Sequence, residues 1–238
     1  MLQECNNYLN ELYSHQQNNR PVRVLEAGGG SYSHFNLPEH AEVITLDIEF
    51  GQLLKNKDAH LCVQGDIHAI PIKANSIDII ICFNVIEHLE NPDLALEHFD
   101  SILKPGGLLI LGCPVRNSLK GIITRLTPIG FHRWYYKNIV GKQDRGDGHY
   151  DAFPTPFRPV VSEKPLRNWC QNKQFSPGFF QVYDGAKAYR ITVGSPLKRL
   201  VSLPYYLLAQ LGRVLTLNQW QAELSDLLMV AEKQPETR

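Results

Sequence analysis

Short apolar runs alternate with helix-like segments along the first half of the chain, and this alternation constrains the fold more than any other feature. Five of these runs are predicted strands: Val22–Ala27, Glu42–Asp47, Ala59–Gln64, Ile77–Phe83 and Gly107–Cys113. Strands that are apolar on both faces are typical of a parallel sheet with helices on both sides. The sequence therefore predicts an α/β fold, and Gly178–Asp184 and Ser225–Glu232 add two further strands.

Helical periodicity of apolar residues predicts the covering elements. The predicted helices are residues 2–17, Asp93–Leu103, a segment from a Ser162 cap to about Lys173, and the apolar stretch 196–217, which Pro204 interrupts. In the second helix, the side chains expected on the inner face are Leu94, Leu96, Phe99 and Leu103.

Composition excludes several classes of protein. The 238 residues are 43% hydrophobic, and 24 Lys and Arg balance 24 Asp and Glu. This neutral balance lacks the basic excess of nucleic-acid-binding proteins, so no nucleic-acid partner is expected. The first twenty residues lack a signal-peptide pattern, and no apolar run reaches the length of a membrane span. We expect a cytoplasmic protein.

The five cysteines are scattered and contain no CxxC pair, which argues against a disulfide framework or a cysteine-rich zinc site. Cys62, Cys82 and Cys113 lie in apolar runs, so we expect them to be small core residues.

A glycine turn, Gly28-Gly29-Gly30, directly follows the first predicted strand. Glycine permits a tight turn and lets the backbone approach a ligand closely. The dinucleotide-binding spacing GxGxxG fails here, because Ser33 stands at its third position. Pro38 limits the helix expected after this turn to a short one.

Two acidic residues follow the next two predicted strands. Asp47 ends the second strand, where a carboxylate can accept hydrogen bonds from both ribose hydroxyls. Asp66 and Ile67 follow the third strand, where they can offer an acceptor and a backbone N–H to an adenine ring. The alternatives are a helix cap at Asp47 and an ordinary aspartate turn at Asp66.

Five blocks together carry a family resemblance: VLEAGGG, TLDIE, GDIHAIPI, IDIIICFNVIEHL and LKPGGLLILGCP. Over roughly residues 20–115 they resemble the class I S-adenosylmethionine-dependent methyltransferases, most closely the small-molecule branch that includes quinone-biosynthesis enzymes. The resemblance implies a Rossmann-like, seven-stranded, mostly parallel sheet with the last strand antiparallel, plus helical and loop lid insertions. It also implies S-adenosylmethionine as the cofactor.

The resemblance assigns roles residue by residue. It places Glu26 at the methionine amino end of the cofactor and Asn84 at the sulfonium end. The remaining predicted cofactor-binding residues are Gly28 and Gly30 along the cofactor, Asp47 on the ribose, and Asp66 and Ile67 on the adenine. Tyr32 replaces a glycine that is frequent in the family, which should narrow the site.

The candidate catalytic bases are His88 and His149. His88 lies beside the reactive end of the cofactor, and His149 lies in a glycine-containing segment typical of a mobile loop. The alternatives are that Glu87 and His88 cap a helix or bond to the backbone, and that His149 is an ordinary loop residue. Glu87, His88 and His149 could also ligate a divalent metal. No metal is predicted, because Asn84 stands where similar metal-dependent RNA methyltransferases carry the first metal-binding glutamate.

The predicted organisation is an N-terminal helix (1–19), a cofactor-binding core (20–115), a lid or acceptor-binding insertion (116–160) and a C-terminal part of the sheet (161–238). The aromatic cluster 131–136 is expected either to stack on the acceptor or to form the core of a lid. The helix 196–217 is expected either to make peripheral contact with a membrane or to pack as a lid or dimer contact. The sequence does not predict the oligomeric state.

The function predicted from these features is transfer of a methyl group to a small-molecule or lipid-linked acceptor, at oxygen. Two alternatives stay open. One is a nicotinamide-dependent oxidoreductase, which the failed GxGxxG spacing disfavours. The other is a catalytically inactive binding module that kept the methyltransferase fold.

Overall fold

The fold is that of a computed structural model, which describes residues 1–15, 21–38, 40–135, 137–138, 154–185 and 196–235.

Seven strands form one sheet. They are β1 (Val22–Ala27), β2 (Ala41–Asp47), β3 (Leu61–Gln64), β4 (Ile77–Phe83), β5 (Leu103–Pro114), β6 (Phe175–Tyr183) and β7 (Asp226–Lys233). Their order across the sheet is β3-β2-β1-β4-β5-β7-β6. Strand β7 runs antiparallel to both of its neighbours, whereas β1 to β5 pair in parallel. The predicted seven-stranded, mostly parallel sheet with an antiparallel last strand is confirmed.

Seven α-helices accompany the sheet in the described part of the chain. They are α1 (Leu2–His15), α2 (Phe50–Leu53), α3 (Pro92–Ile102), α4 (Leu119–Leu126), α5 (Ile129–Tyr135), α6 (Glu163–Asn172) and α7 (Pro196–Leu215). Short 3₁₀ turns follow β3 at Ile67–Ala69 and β4 at Ile86–His88. Helix α7 continues through Pro204, where the sequence predicted an interruption.

Alternate residues of each strand point to opposite sides of the sheet. Each face therefore carries apolar side chains, and each is covered by its own core. On one face, Leu25 and Ile80 belong to a core that includes Phe99 of α3 and Leu166 of α6. On the other face, residues such as Val24 share a second core with Cys5 and Leu9 of α1. This layering leaves the ends of the strands as the edge where loops can form a site.

Two expectations about the core were wrong. Leu94 of α3 is 40% exposed, and the helix buries Ala95 and Ile102 instead, together with the predicted Leu96 and Phe99. Asn91 caps this helix by accepting a hydrogen bond from the Leu94 N–H, which fixes Leu94 in the first turn on the solvent side.

Cys62 is exposed, unlike Cys82 and Cys113, which are buried as predicted. The physical reason is that β3 lies at the edge of the sheet. This strand also begins at Leu61, two residues after the predicted start at Ala59. The edge strand is covered less completely than the strands inside the sheet.

Two local predictions also differ from the structure. Residues 28–38 form turns and bends, so the short helix expected after the glycine turn is missing. Ser162 does occupy the N-cap position of α6, but its side chain makes no capping hydrogen bond.

Among the described helices, none is long and apolar enough to cross a membrane.

Candidate functional site

The carboxyl ends of the parallel strands meet at one edge of the sheet, and the order of the strands reverses between β1 and β4. Ligands of open α/β sheets bind in the crevice at such a switch point. The turns after the strands are joined by backbone hydrogen bonds. Gly28 N donates to Leu46 O at 2.7 Å, and Gly65 N donates to Asp47 O at 3.0 Å. The turns after β1, β2 and β3 therefore lie side by side.

The glycine turn after β1 requires its glycines. Gly28 and Gly30 have φ values of +76° and +54°, in the left-handed region that favours glycine. A Cβ at Gly28 would lie 2.5 Å from Cγ2 of Val85, so the ends of β1 and β4 approach too closely for a side chain. A Cβ at Gly30 would meet only Asp47 Oδ2, at 3.9 Å, so open space remains beside this residue.

Asp47 connects the turns after β1 and β2. Its Oδ2 accepts a hydrogen bond from Gly30 N at 2.9 Å, and its Oδ1 accepts one from Glu49 N at 2.8 Å. These bonds fix the carboxylate at the edge of the crevice. Each carboxylate oxygen has a second acceptor position, so both can still receive a hydroxyl hydrogen bond.

Glu26 is buried at the end of β1 with only 2% of its surface exposed. Its Oε2 accepts a hydrogen bond from the Thr45 hydroxyl at 3.2 Å. Burial raises the pKa of this carboxyl, and hydrogen bonds from Ser33 and Thr45 oppose that shift. Glu26 is therefore held in place before any ligand arrives.

A small cavity of about 20 Å³ lies against Glu26, Gly28 and Gly29. The rings of Tyr32 and His34 also line it, with their centroids 4.7 Å apart. The His34 ring in turn lies 4.9 Å from the Phe83 ring. Tyr32 thus stands where the sequence expected it to narrow the site.

Asp66 and Ile67 begin the 3₁₀ turn after β3. Asp66 Oδ1 accepts hydrogen bonds from His68 N at 2.8 Å and from His68 Nδ1 at 2.7 Å. The backbone hydrogen bond from His68 lowers the pKa of the Asp66 carboxyl, which stays ionised. The ordinary aspartate turn weighed from the sequence is therefore present, and a ligand would share this carboxylate with His68.

Asn84 directly follows β4 and is exposed. Its φ of +56° is unusual for a residue other than glycine, and its N–H donates to Gly112 O at 2.8 Å. Asparagine tolerates this conformation better than most residues. The left-handed backbone turns the chain at the switch point, where the sequence placed the sulfonium end of the cofactor.

Replacing Asn84 with alanine is expected to lower the free energy of unfolding by about 1 kcal/mol, because alanine is disfavoured at positive φ. Asn84→Gly relieves the backbone and is the matched variant. We expect glycine to preserve the melting temperature and alanine to lower it by about 2 to 4 °C in thermal unfolding. Equal melting temperatures for the two variants would show that this backbone conformation is not strained.

His88 lies in the 3₁₀ turn after β4, and its Nδ1 is 2.8 Å from the Pro154 carbonyl oxygen. Because a carbonyl oxygen only accepts hydrogen bonds, Nδ1 carries a proton. Burial lowers the pKa of the imidazole, and its Nε2 lies 3.7 Å from Glu87 Oε1. The backbone contact considered in the sequence analysis is present. The other candidate base, His149, lies outside the described residues.

Glu87 is a residue that sequence reasoning considered only as a cap or metal ligand. It is 2% exposed, and its Oε2 has no hydrogen-bond partner within the described ranges. Burial raises its pKa to about 8. The Glu-His pair in the fourth block was the available signal, but a sequence pattern does not reveal an unpaired carboxyl. Among the residues that the structure describes, no three His, Cys, Asp or Glu side chains group as a metal site.

A second, open cleft of about 410 Å³ lies in the region where the sequence placed the acceptor. It is lined by Thr124, Arg125, Thr127, Ile129, His132, Pro154, Thr155 and Pro156. One wall of it reaches His88, since Thr155 Oγ1 is 3.4 Å from His88 Nδ1. Of the predicted aromatic cluster, Phe131 and Trp134 stack on each other at 5.9 Å and stay about half exposed.

Comparisons with known proteins identify what this arrangement resembles. Residues 25–111 match the sequence profile of a methyltransferase domain family. An uncharacterized protein of Methanocaldococcus jannaschii is 34% identical over 105 residues, covering 43% of this chain and 45% of that protein. A malonyl-acyl-carrier protein O-methyltransferase of Laribacter hongkongensis is 26% identical over 160 residues, covering 59% and 53%. The chain thus spans about half the length of these curated relatives.

Among solved structures, a SAM-dependent methyltransferase from Archaeoglobus fulgidus superposes with a TM-score of 0.56 at 14% sequence identity. The superposition covers 98% of this chain and 95% of that one. At this identity the likeness establishes a shared fold.

Proposed function

We propose that this chain, whose residues 25–111 match a methyltransferase domain family, transfers the methyl group of S-adenosylmethionine to an oxygen of a small acceptor. The observation that carries the proposal is the hydrogen bond of 2.9 Å from Gly30 N to Asp47, which joins two turns at the switch point of the sheet. The O-methyltransferase among the relatives supports oxygen as the acceptor atom.

The residues at the strand ends fit this cofactor. The open space beside Gly30 lets a ligand approach the backbone next to Asp47, whose carboxylate would hold the ribose hydroxyls. Asp66 and the backbone of Ile67 would hold the adenine, and Glu26 would face the methionine amino group. The carboxylates would also complement the positive charge of the ligand.

When bound, S-adenosylmethionine supplies a methyl group on a positively charged sulfur that leaves readily. The chain must therefore mainly position the acceptor and exclude water. Tyr32 and His34, which line the cavity beside the glycine turn, would limit the access of water from that side.

We assign His88 as the general base for a hydroxyl acceptor. Its Nδ1 proton is held by the Pro154 carbonyl, so Nε2 carries the lone pair that can take a proton. The lowered pKa keeps the ring neutral at pH 7. A neutral imidazole with a fixed tautomer is suited to general-base catalysis.

The cleft of about 410 Å³ is the proposed acceptor site, because its wall at Thr155 borders the Nδ1 side of the His88 ring. Arg125 and His132 line it, and among the residues that the structure describes no acidic one lines it. Such a lining suits an acceptor with a carboxylate or phosphate group. We therefore propose an anionic small-molecule or lipid-linked acceptor.

Radiolabelled methyl transfer tests the function. The wild-type chain is incubated with methyl-labelled S-adenosylmethionine and with fractionated aqueous and lipid extracts, and His88→Ala serves as the comparison. We expect label in an extracted product as an O-methyl group, which alkaline hydrolysis releases as methanol from a methyl ester and which resists hydrolysis in a methyl ether. His88→Ala should give at least about tenfold less label. Absence of label from all fractions, while calorimetry shows cofactor binding, would instead favour a non-catalytic binding module.

A further inference from the structure

Helix α7 turns its leucine face toward solvent. Six apolar side chains in it are between 50% and 73% exposed: Leu203, Leu207, Leu208, Leu211, Val214 and Leu215. At 100° per residue these positions fall within an arc of about 140° on one side of the helix. Leu217, just beyond the helix, is 86% exposed. A contiguous apolar face of this kind marks an interaction site rather than scattered surface leucines.

The opposite face of α7 is fixed against the protein by small and polar residues. Ala209 is fully buried, and Gly212 packs so closely on the Trp220 ring that a Cβ would come within 2.7 Å of it. Tyr206 donates a hydrogen bond to Asp184 at 3.3 Å, and Arg213 pairs with Glu223 at 3.2 Å. Rotating the helix to bury its leucines would break all of these contacts.

The charge of the chain is segregated in the same region. Residues 196–222 contain three cations, Lys198, Arg199 and Arg213, and no Asp or Glu. Residues 115–138, which include α4 and α5, contain five Lys and Arg and again no Asp or Glu. Because the whole chain is neutral, its remainder carries a formal net charge of −8. Two of its acids, Glu223 and Asp226, pair with Arg213 and Lys120, so six cations of the two segments are not balanced by these pairs.

These two cationic segments lie together in the fold. The Trp220 ring packs on Gly212 of α7, and its Nε1 donates a hydrogen bond of 2.8 Å to Asn117 O, just before α4. Leu119 N at the start of α4 donates to Ala222 O at 2.8 Å. The end of α7 is thus attached to the start of α4.

We propose that α7 docks on a lipid bilayer that contains anionic lipids, with its leucine face in the headgroup region and the net positive charge of the two segments attracted by the lipid phosphates. An amphipathic helix with leucines on one face and cations nearby is the pattern of interfacial membrane helices. Anionic lipid attracts such cations, whereas the negative remainder of the chain is repelled and faces away. This docking does not depend on methyl transfer. It would place the chain at a membrane surface, in addition to the proposed function.

Liposome flotation tests the docking. The full chain is mixed with vesicles of phosphatidylcholine alone or with about 30% phosphatidylglycerol, at low and high salt. We expect the wild type to float with the anionic vesicles at least about tenfold more than with neutral ones, and high salt to weaken the binding. The double variant Leu207→Gln/Leu211→Gln is expected to lose at least about tenfold of the floating fraction.

Leu61→Gln is the matched control, because Leu61 is 54% exposed on the edge strand β3, away from α7. It should float like the wild type, and calorimetry with S-adenosylmethionine confirms that each variant is folded. The proposal is overturned if the wild type does not float with anionic vesicles, or if the double variant floats equally well. It is also overturned if light scattering shows a dimer that the double variant converts to monomer, since a second copy would then cover the leucine face.

Discussion

Asp47→Ala is expected to weaken the binding of S-adenosylmethionine by about a hundredfold in isothermal titration calorimetry. The loss of hydrogen bonds from two ribose hydroxyls to a carboxylate corresponds to about 2.7 kcal/mol. The substitution also removes the acceptor for Gly30 N, so the glycine turn loses the bond that holds it beside β2. Asp47→Asn keeps one oxygen acceptor, and we expect it to give an intermediate affinity.

Glu42→Ala is the control for this experiment because Glu42 lies on the same strand, near its opposite end. Glu42 is exposed and makes only a surface ion pair of 3.5 Å with Arg23. Surface pairs of this kind contribute little stability, so both the fold and the binding should be retained. If Asp47→Ala and Glu42→Ala bind S-adenosylmethionine equally well, the assignment of Asp47 is wrong.

Glu87→Gln is expected to stabilise the protein at pH 8 by about 3 kcal/mol, which raises the melting temperature by about 5 to 10 °C. Burial holds the pKa of Glu87 at about 8, far above its value in an unfolded chain. The folded protein therefore retains a proton that the unfolded chain releases above about pH 4.5. The contribution of the Glu87 carboxyl to the free energy of unfolding is fully present below pH 4.5 and is lost as the pH rises toward 8.

Glutamine resembles the protonated carboxyl and does not ionise. The variant therefore keeps its stability as the pH rises from 4.5 to 8, whereas the wild type loses part of it. The difference between the variant and the wild type should be near zero at pH 4.5 and should grow up to pH 8, measured by thermal unfolding across that range. Glu42→Gln, a substitution at an exposed carboxyl, should follow the wild type at each pH. A stabilisation by Glu87→Gln that does not change with pH would mean that Glu87 is ionised throughout.

The strand ends that carry the proposed cofactor site could be predicted from the sequence because their signals are local. An apolar run that ends in glycine or aspartate marks the carboxyl end of a strand, and parallel strands bring these ends to one edge. The contact between Gly28 and Val85 was beyond such reasoning, because it depends on how closely β1 and β4 pack. The pairing of Asp66 with His68 likewise appeared only as an alternative.

Features that depend on which surface is covered could not be predicted. The apolar pattern of α7 is visible in the sequence, but the burial of the small residues Ala209 and Gly212 rather than the leucines is decided by close packing on Trp220. Cys62 was assigned to the core because its neighbours are apolar, yet its strand lies at the edge of the sheet. The raised pKa of Glu87 depends on burial, and its Oε2 has no hydrogen-bond partner in the described part of the chain. Neither feature has a local signature in the sequence.

The account depends most on the location of the adenosyl group at the carboxyl ends of the first three strands. A crystal structure of the chain with S-adenosylhomocysteine measures this directly. It should show the ribose hydroxyls within hydrogen-bond distance of the Asp47 carboxylate and the adenine against Asp66 and Ile67. Electron density for the ligand away from these turns, or a ribose that does not contact Asp47, would contradict the account.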